Sequence, residues 1–158
     1  PIKNKTSVWA VGNAGRTGEL KRIDLEGREL WPLSYKASKA VALVFILPDC
    51  PSCNAYIPEL NRLNDDLDKS GVRLILIHAD EAVTGAEAEK HAREYGLQMP
   101  VALDPRRDWI KQAEATIAPE AAVFSPAGEL LYRGRSDNQY AGFGKRRATL
   151  TSHDWRAA

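Results

Sequence analysis

The chain has only two cysteines, one methionine and three histidines among its 158 residues. Two cysteines cannot staple a disulfide-built scaffold. The histidines, at positions 78, 91 and 153, show none of the paired spacing that a four-ligand structural zinc site requires, so no metal is expected. An excess of either charge is also missing. The 22 basic residues against 21 acidic ones leave a net charge of +1, which gives no broad field to draw in nucleic acid or an anionic membrane. Long hydrophobic runs are lacking too: the longest nearly apolar stretch, 40–48, is far too short to span a bilayer, and no signal-peptide pattern is present. The chain begins at Pro1 rather than Met, as expected of a processed or trimmed product. What remains is an ordinary globular composition, 44% hydrophobic and 27% charged, in a length that suits one domain with a real core.

The order of elements follows from periodicity and turn chemistry. Residues 1–18 are rich in Gly, Asn and Lys without sustained periodicity, and are expected to form a mostly irregular arm. Residues 19–33 predict two short strands around Glu26-Gly27. The β-branched and aromatic run VALVFIL at 41–47 predicts a strand buried on both faces. From Cys50 to about Lys69, Ile57, Leu60, Leu63 and Leu67 recur at helical spacing, and Gly71 ends the pattern. A strand at 72–77 follows, then a helix from Thr84, which stands in capping-box spacing with Glu87, to Tyr95. A short strand at 100–103, a helix at 105–115, and a strand pair at 121–125 and 129–135 complete the series. This order predicts an α/β sandwich whose sheet is parallel in the middle and antiparallel at one edge. The domain is expected to span 19–135, with 136–158 as a basic, Gly-containing extension packed on it or trailing from it.

Both cysteines lie in PDCPSCNAYIP, at 48–58, between the buried strand and the amphipathic helix. A helix N-terminus offers unpaired N–H groups and partial positive charge, which favour a thiolate on Cys50, the expected nucleophile. Cys53, nearly one turn later, can reach a mixed disulfide formed at Cys50 and resolve it. Pro51 suits the first helical turn, Ser52 separates it from Cys53, and Asp49 works against the thiolate unless solvent screens it.

This run resembles the thioredoxin superfamily: strand, Cys-x-x-Cys, helix, and a proline, Pro58, eight residues after the first cysteine. ATIAPEAAVFSPAGELLYRG, at 115–134, is similar to the family's segment around a cis-proline facing the cysteines, which makes Pro119, preceded by Ala118, the candidate for the substrate groove. The extra strand and helix between resemble the TlpA-like and redoxin (AhpC/TSA-type) branch. The resemblance implies a three-layer thioredoxin-like sandwich, with an N-terminal β-hairpin and an inserted strand-helix unit. It also implies a thiol-disulfide oxidoreductase working without metal or organic cofactor. Cysteine-containing protein substrates and a thiol/disulfide electron donor would be its partners. An exported, periplasmic, monomeric domain, tethered to a membrane in the full-length protein, is implied as well. Two departures stand out. Asp49 replaces the usual Trp, and Val44 stands where many thioredoxins carry a buried acid.

Two other readings compete. A peroxiredoxin-like thiol peroxidase using Cys50, with antioxidant activity, would need Pro at 43 and Thr at 47, where the chain has Leu43 and Leu47. A non-catalytic binding domain could keep the fold without the chemistry. His78 reads as an ordinary strand-end histidine. Trp9, Trp31, Trp109 and Trp155 read as covers for core edges, and Tyr56 as either a cover for the cysteine pair or simple packing. Arg133, Arg135, Lys145, Arg146 and Arg147 read as a solvated basic face.

Overall fold

The computed structural model describes residues 38–134 in full and, outside them, the backbone of the strands at 8–15, 19–24, 29–30, 140–142 and 145–146. Its strands are β1 (Val8–Gly15), β2 (Glu19–Asp24), β3 (Glu29–Leu30), β4 (Ala40–Ile46), β5 (Val72–His78), β6 (Val101–Leu103), β7 (Glu120–Phe124), β8 (Leu130–Gly134), β9 (Tyr140–Gly142) and β10 (Lys145–Arg146). The helices are α1 (Pro51–Ser70), α2 (Gly85–Tyr95) and α3 (Asp108–Ala113).

Eight strands form one sheet in the order β3-β2-β1-β6-β5-β4-β7-β8, and β9 with β10 form a separate two-stranded ladder. Strands β1, β6, β5 and β4 run parallel to one another, while the pairs β2–β3, β1–β2, β4–β7 and β7–β8 are antiparallel. The sheet is therefore antiparallel at both edges, not at one. The difference comes from β1, which lies within the stretch expected to be irregular. Its Gly and Asn residues weaken intrinsic strand preference, but pairing with β6 on one side and β2 on the other overrides that preference. A register shift between Val11 and Ala14 takes up the irregularity. The extension past 135 is described only through β9 and β10, and Trp9, Trp31 and Trp155 have side chains outside the described residues.

The buried run of β4 splits its side chains between two core layers. Ala42, Val44 and Ile46 meet Ile57, Leu60 and Leu63 of α1 and Ala88 and Ala92 of α2. Val41, Leu43 and Phe45 meet Trp109, Ile110 and Ala113 of α3 on the other face. Trp109 is thus a fully buried core residue and not an edge cover. Each of the buried Val, Leu, Ile and Phe side chains contributes on the order of 1.5–3 kcal/mol by leaving water.

Local chemistry sets the helix ends. Gly71 closes α1 in the left-handed region at φ 80, its N–H donating to the Asp68 and Leu67 carbonyls, and its own carbonyl accepts from Lys39 at 2.8 Å where β4 begins. Thr84 and Glu87 form the expected capping box of α2. Helix α3 is shorter than the expected 105–115. Arg107 and Glu114 flank it at φ 57 and 53, and the buried Asp104 carboxylate, accepting from the Trp109 and Ile110 N–H groups at 3.3 and 3.0 Å, takes over the capping.

Candidate functional site

Cys50 is the N-cap residue of α1. Its backbone is extended (φ −87°, ψ 110°), and its Sγ accepts the Cys53 N–H at 3.3 Å, the place a Ser or Asp oxygen ordinarily fills. Pro51 opens the helix and lacks the N–H that would otherwise be left over. Cys50 is half-buried, whereas Cys53 is wholly buried against the β4 face that carries Val44. Both are free thiols. Burial is the main cause that pushes the Cys53 thiol up to about 12, and the side-chain hydrogen bond with Cys50 adds to it. Asp49 and Pro51 are exposed and Ser52 is half-buried, so solvent screens the Asp49 carboxylate. Pro58 lies inside α1 without ending it.

The sheet brings the second half of the site to the first. Because β7 runs antiparallel to β4, with Phe45 opposite Glu120, the residues just before β7 arrive where β4 ends and the cysteine loop begins. The Ala118–Pro119 peptide is cis. Ala118 joins Leu47, Phe45, Ile110 and Ala115 in lining a groove of about 590 Å³. Leu47 and Ile117 put exposed apolar surface on its walls. Glu120, buried to 5% exposure, accepts the Thr116 and Ile117 N–H groups at 2.6 and 3.2 Å and so ties down the approach to Pro119. A smaller cleft of about 350 Å³ lies on the other side of the loop, lined by Pro48, Asp49, Lys90, His91 and Tyr95 among others.

Polar groups behind the loop were not singled out by the spacing of the cysteines. The Asn54 amide donates to the Pro48 carbonyl at 2.7 Å and meets His91 Nε2 at 2.8 Å through its oxygen. His91 packs between Tyr95, with ring centres 4.8 Å apart, and His78, edge-on at 5.1 Å. Burial holds His78 down to about 4, helped by repulsion from His91, and burial lowers His91 as well against the opposing pull of Glu94 and Asp49. Among the described residues no group of three or more His, Cys, Asp or Glu side chains could hold a metal ion. Arg133 donates to the Glu114 carbonyl and lies 3.8 Å from the Glu114 carboxylate; the side chains of the other basic residues of the expected face lie outside the described residues.

A sequence profile of the AhpC/TSA family matches residues 11–133. The curated thiol-disulfide oxidoreductase ResA of Bacillus thuringiensis subsp. konkukian is 29% identical over 108 residues, covering 68% of this chain and 61% of the relative. The chain thus spans about three fifths of that relative's length. Among solved structures, a hypothetical protein, SMc02350, from Sinorhizobium meliloti 1021 superposes with a TM-score of 0.74 at 23% identity, covering 98% of this chain and 85% of that one. A thioredoxin-like protein from Aeropyrum pernix superposes with a TM-score of 0.60 at 18% identity, covering 75% and 82%. The fold is thioredoxin-like, the three-layer sandwich that the family resemblance implied.

Proposed function

The chain belongs to the AhpC/TSA family, and from that membership we propose that it is a thiol-disulfide oxidoreductase acting through Cys50 and Cys53. The single observation that carries this reading is a half-buried thiol capping a helix, with a second, buried thiol one turn on. The Cys50 thiolate attacks one sulfur of a substrate disulfide, forms a mixed disulfide and expels the first substrate thiolate. Cys53 then loses its proton and attacks Cys50 Sγ, which forms the Cys50–Cys53 disulfide and releases the second substrate thiol. Two electrons and two protons pass from the dithiol to the substrate, and a donor dithiol restores the pair. The part of the Cys53 elevation that comes from Cys50 disappears once Cys50 is tied up in the mixed disulfide, which eases the second step.

Ala118 lines the groove and the cis Pro119 beside it presents the backbone that the substrate chain meets, while Leu47 and Ile117 supply apolar contact surface in place of the missing Trp. Cysteine-containing proteins are the substrates. An exported, periplasmic setting, with the domain tethered to a membrane, agrees with the TlpA-like resemblance of the cysteine and cis-proline segments. Exchange is favoured over peroxidase chemistry because the two positions carry Leu43, fully buried, and Leu47, on the groove wall, so neither supplies a hydroxyl beside Cys50.

The test is to mix Cys53→Ser with an oxidised protein substrate. A stable mixed disulfide through Cys50, absent in Cys50→Ser, is the expected outcome; no trapped adduct with any disulfide-bonded protein offered would sink the exchange mechanism.

A further inference from the structure

The polar chain behind the cysteine loop has a direction at every link. A carbonyl can only accept, so the Asn54 amide must turn its Nδ2 toward Pro48 O and its Oδ1 toward His91. His91 Nε2, 2.8 Å from that oxygen, must then be a donor, which makes the neutral ring the Nε2–H tautomer. His91 Nδ1 is left bare and buried, with no partner among the described residues. His91 belongs to α2, Asn54 to the first turn of α1, and Pro48 to the loop that delivers Cys50. One side chain of the first turn thus fastens the loop to a helix 37 residues further along the chain.

Pro48 has no N–H of its own, and the turn from Leu47 is closed by a single backbone bond, Cys50 N–H to Leu47 O at 3.2 Å. We propose that Asn54 and His91 are positioning residues for Cys50, a clamp that holds the loop at 48–50 so that Cys50 Sγ stays on the Cys53 N–H at the head of α1. The proposal rests on the exchange reading above for its functional meaning, though the clamp has its own readout. Without it the loop is held only by the bonds of the turn and of the helix start, Sγ leaves the helix N-terminus more often, and the thiolate loses the N–H groups that stabilise it. Neither side chain bonds to the reacting sulfurs, so both act through Pro48 and the turn.

The test reads the rate at which iodoacetamide alkylates Cys50 at pH 7 in a Cys53→Ser background, on protein shown to be folded by thermal melting. Asn54→Ala and His91→Leu should each slow alkylation about fivefold, the factor carried by one ordinary hydrogen bond. His91→Gln, whose amide nitrogen can still donate to Asn54 Oδ1, should return the rate to near that of the parent. With Cys53 restored, the first two changes should also make the Cys50–Cys53 potential more negative, because a less stabilised thiolate makes a weaker oxidant. A purely structural role would lower the melting temperature and leave the alkylation rate of folded protein and the potential unchanged; that result, in either Asn54→Ala or His91→Leu, overturns the clamp. Should His91→Leu fail to fold, the half-buried Asn54→Ala decides by the same rate. Alkylation needs no partner protein, so a chain that shows the expected rates but forms no mixed disulfide overturns the exchange reading and leaves the clamp in place.

Discussion

Cys50 and Cys53 sit three residues apart and live in different surroundings. One caps a helix at the surface; the other is closed off under the first turn of that helix, its thiol pushed up to about 12 by burial. At pH 8, iodoacetamide should therefore modify Cys50 and spare Cys53. In Cys50→Ser, Cys53 should react more than about a hundredfold more slowly in the folded chain than in urea, because only the rare thiolate is nucleophilic. Peptide mass spectrometry reads both, and rapid labelling of Cys53 in folded Cys50→Ser would contradict its buried, protonated state. At this scale the sequence was informative where partners are neighbours. The cysteine pair, Pro51 and the Thr84–Glu87 box all lie within one turn, so spacing alone brings them together. Asn54, His91 and Glu120 carry no such signal. Asn54 meets a histidine 37 positions away, and Glu120 opens an otherwise apolar strand, where the only clue was a charged residue directly after the candidate proline.

At the scale of elements, the helices show how a remote group can move a boundary. The pattern at 105–115 is helical, yet α3 starts only at Asp108 because Asp104, outside the helix, draws in the Trp109 and Ile110 N–H groups. Asp104→Ala would remove the carboxylate that accepts from the buried Trp109 and Ile110 N–H groups and should cost about 2–3 kcal/mol in urea unfolding, whereas Asp104→Asn, which keeps an acceptor oxygen, should cost less. Equal stability of Asp104→Ala and wild type would remove the carboxylate from its capping role. Helix α1 was the most legible element, since its apolar positions recur at helical spacing from Ile57 to Leu67 and its stop is a glycine in the left-handed region. Strand β1 was the least. Its Gly12, Asn13 and Gly15 argue for a loop, and it becomes a strand by pairing with β2, next along the chain, and with β6, far along it.

The whole molecule titrates as well as folds. His78 is fully buried and held down to about 4, so the unfolded chain gains a proton near 6.5 that the folded chain refuses until about 4. Stability is therefore complete above 6.5, declines as pH falls through that window, and the share from His78 is fully lost below about 4; His91 acts in the same sense. Urea unfolding should show roughly 2 kcal/mol less stability at pH 5 than at pH 7, and His78→Leu should remove most of that difference. An unchanged pH dependence in His78→Leu would rule His78 out as its source. The sheet itself was legible from the alternation of buried strands and amphipathic helices, and the hairpin of β2 and β3 from the turn at Glu26-Gly27, while β1, which joins that hairpin to β6, was not.

Strands β4 and β7 pair residue for residue from Val41 opposite Phe124 to Phe45 opposite Glu120, with the cysteine loop leaving one end and Pro119 entering beside it. In evolutionary terms that ladder is a ruler. One residue inserted into either strand would slide the two halves of the site past each other by about 3.4 Å and turn Phe45 or Glu120 to the wrong face. The turn between Ser125 and Glu129 stands at the other end of the same ladder, closed by its own hydrogen bonds. Lineages of this fold can therefore lengthen that turn freely, while the span from Val41 to Phe45 and from Glu120 to Phe124 must be inherited without gaps.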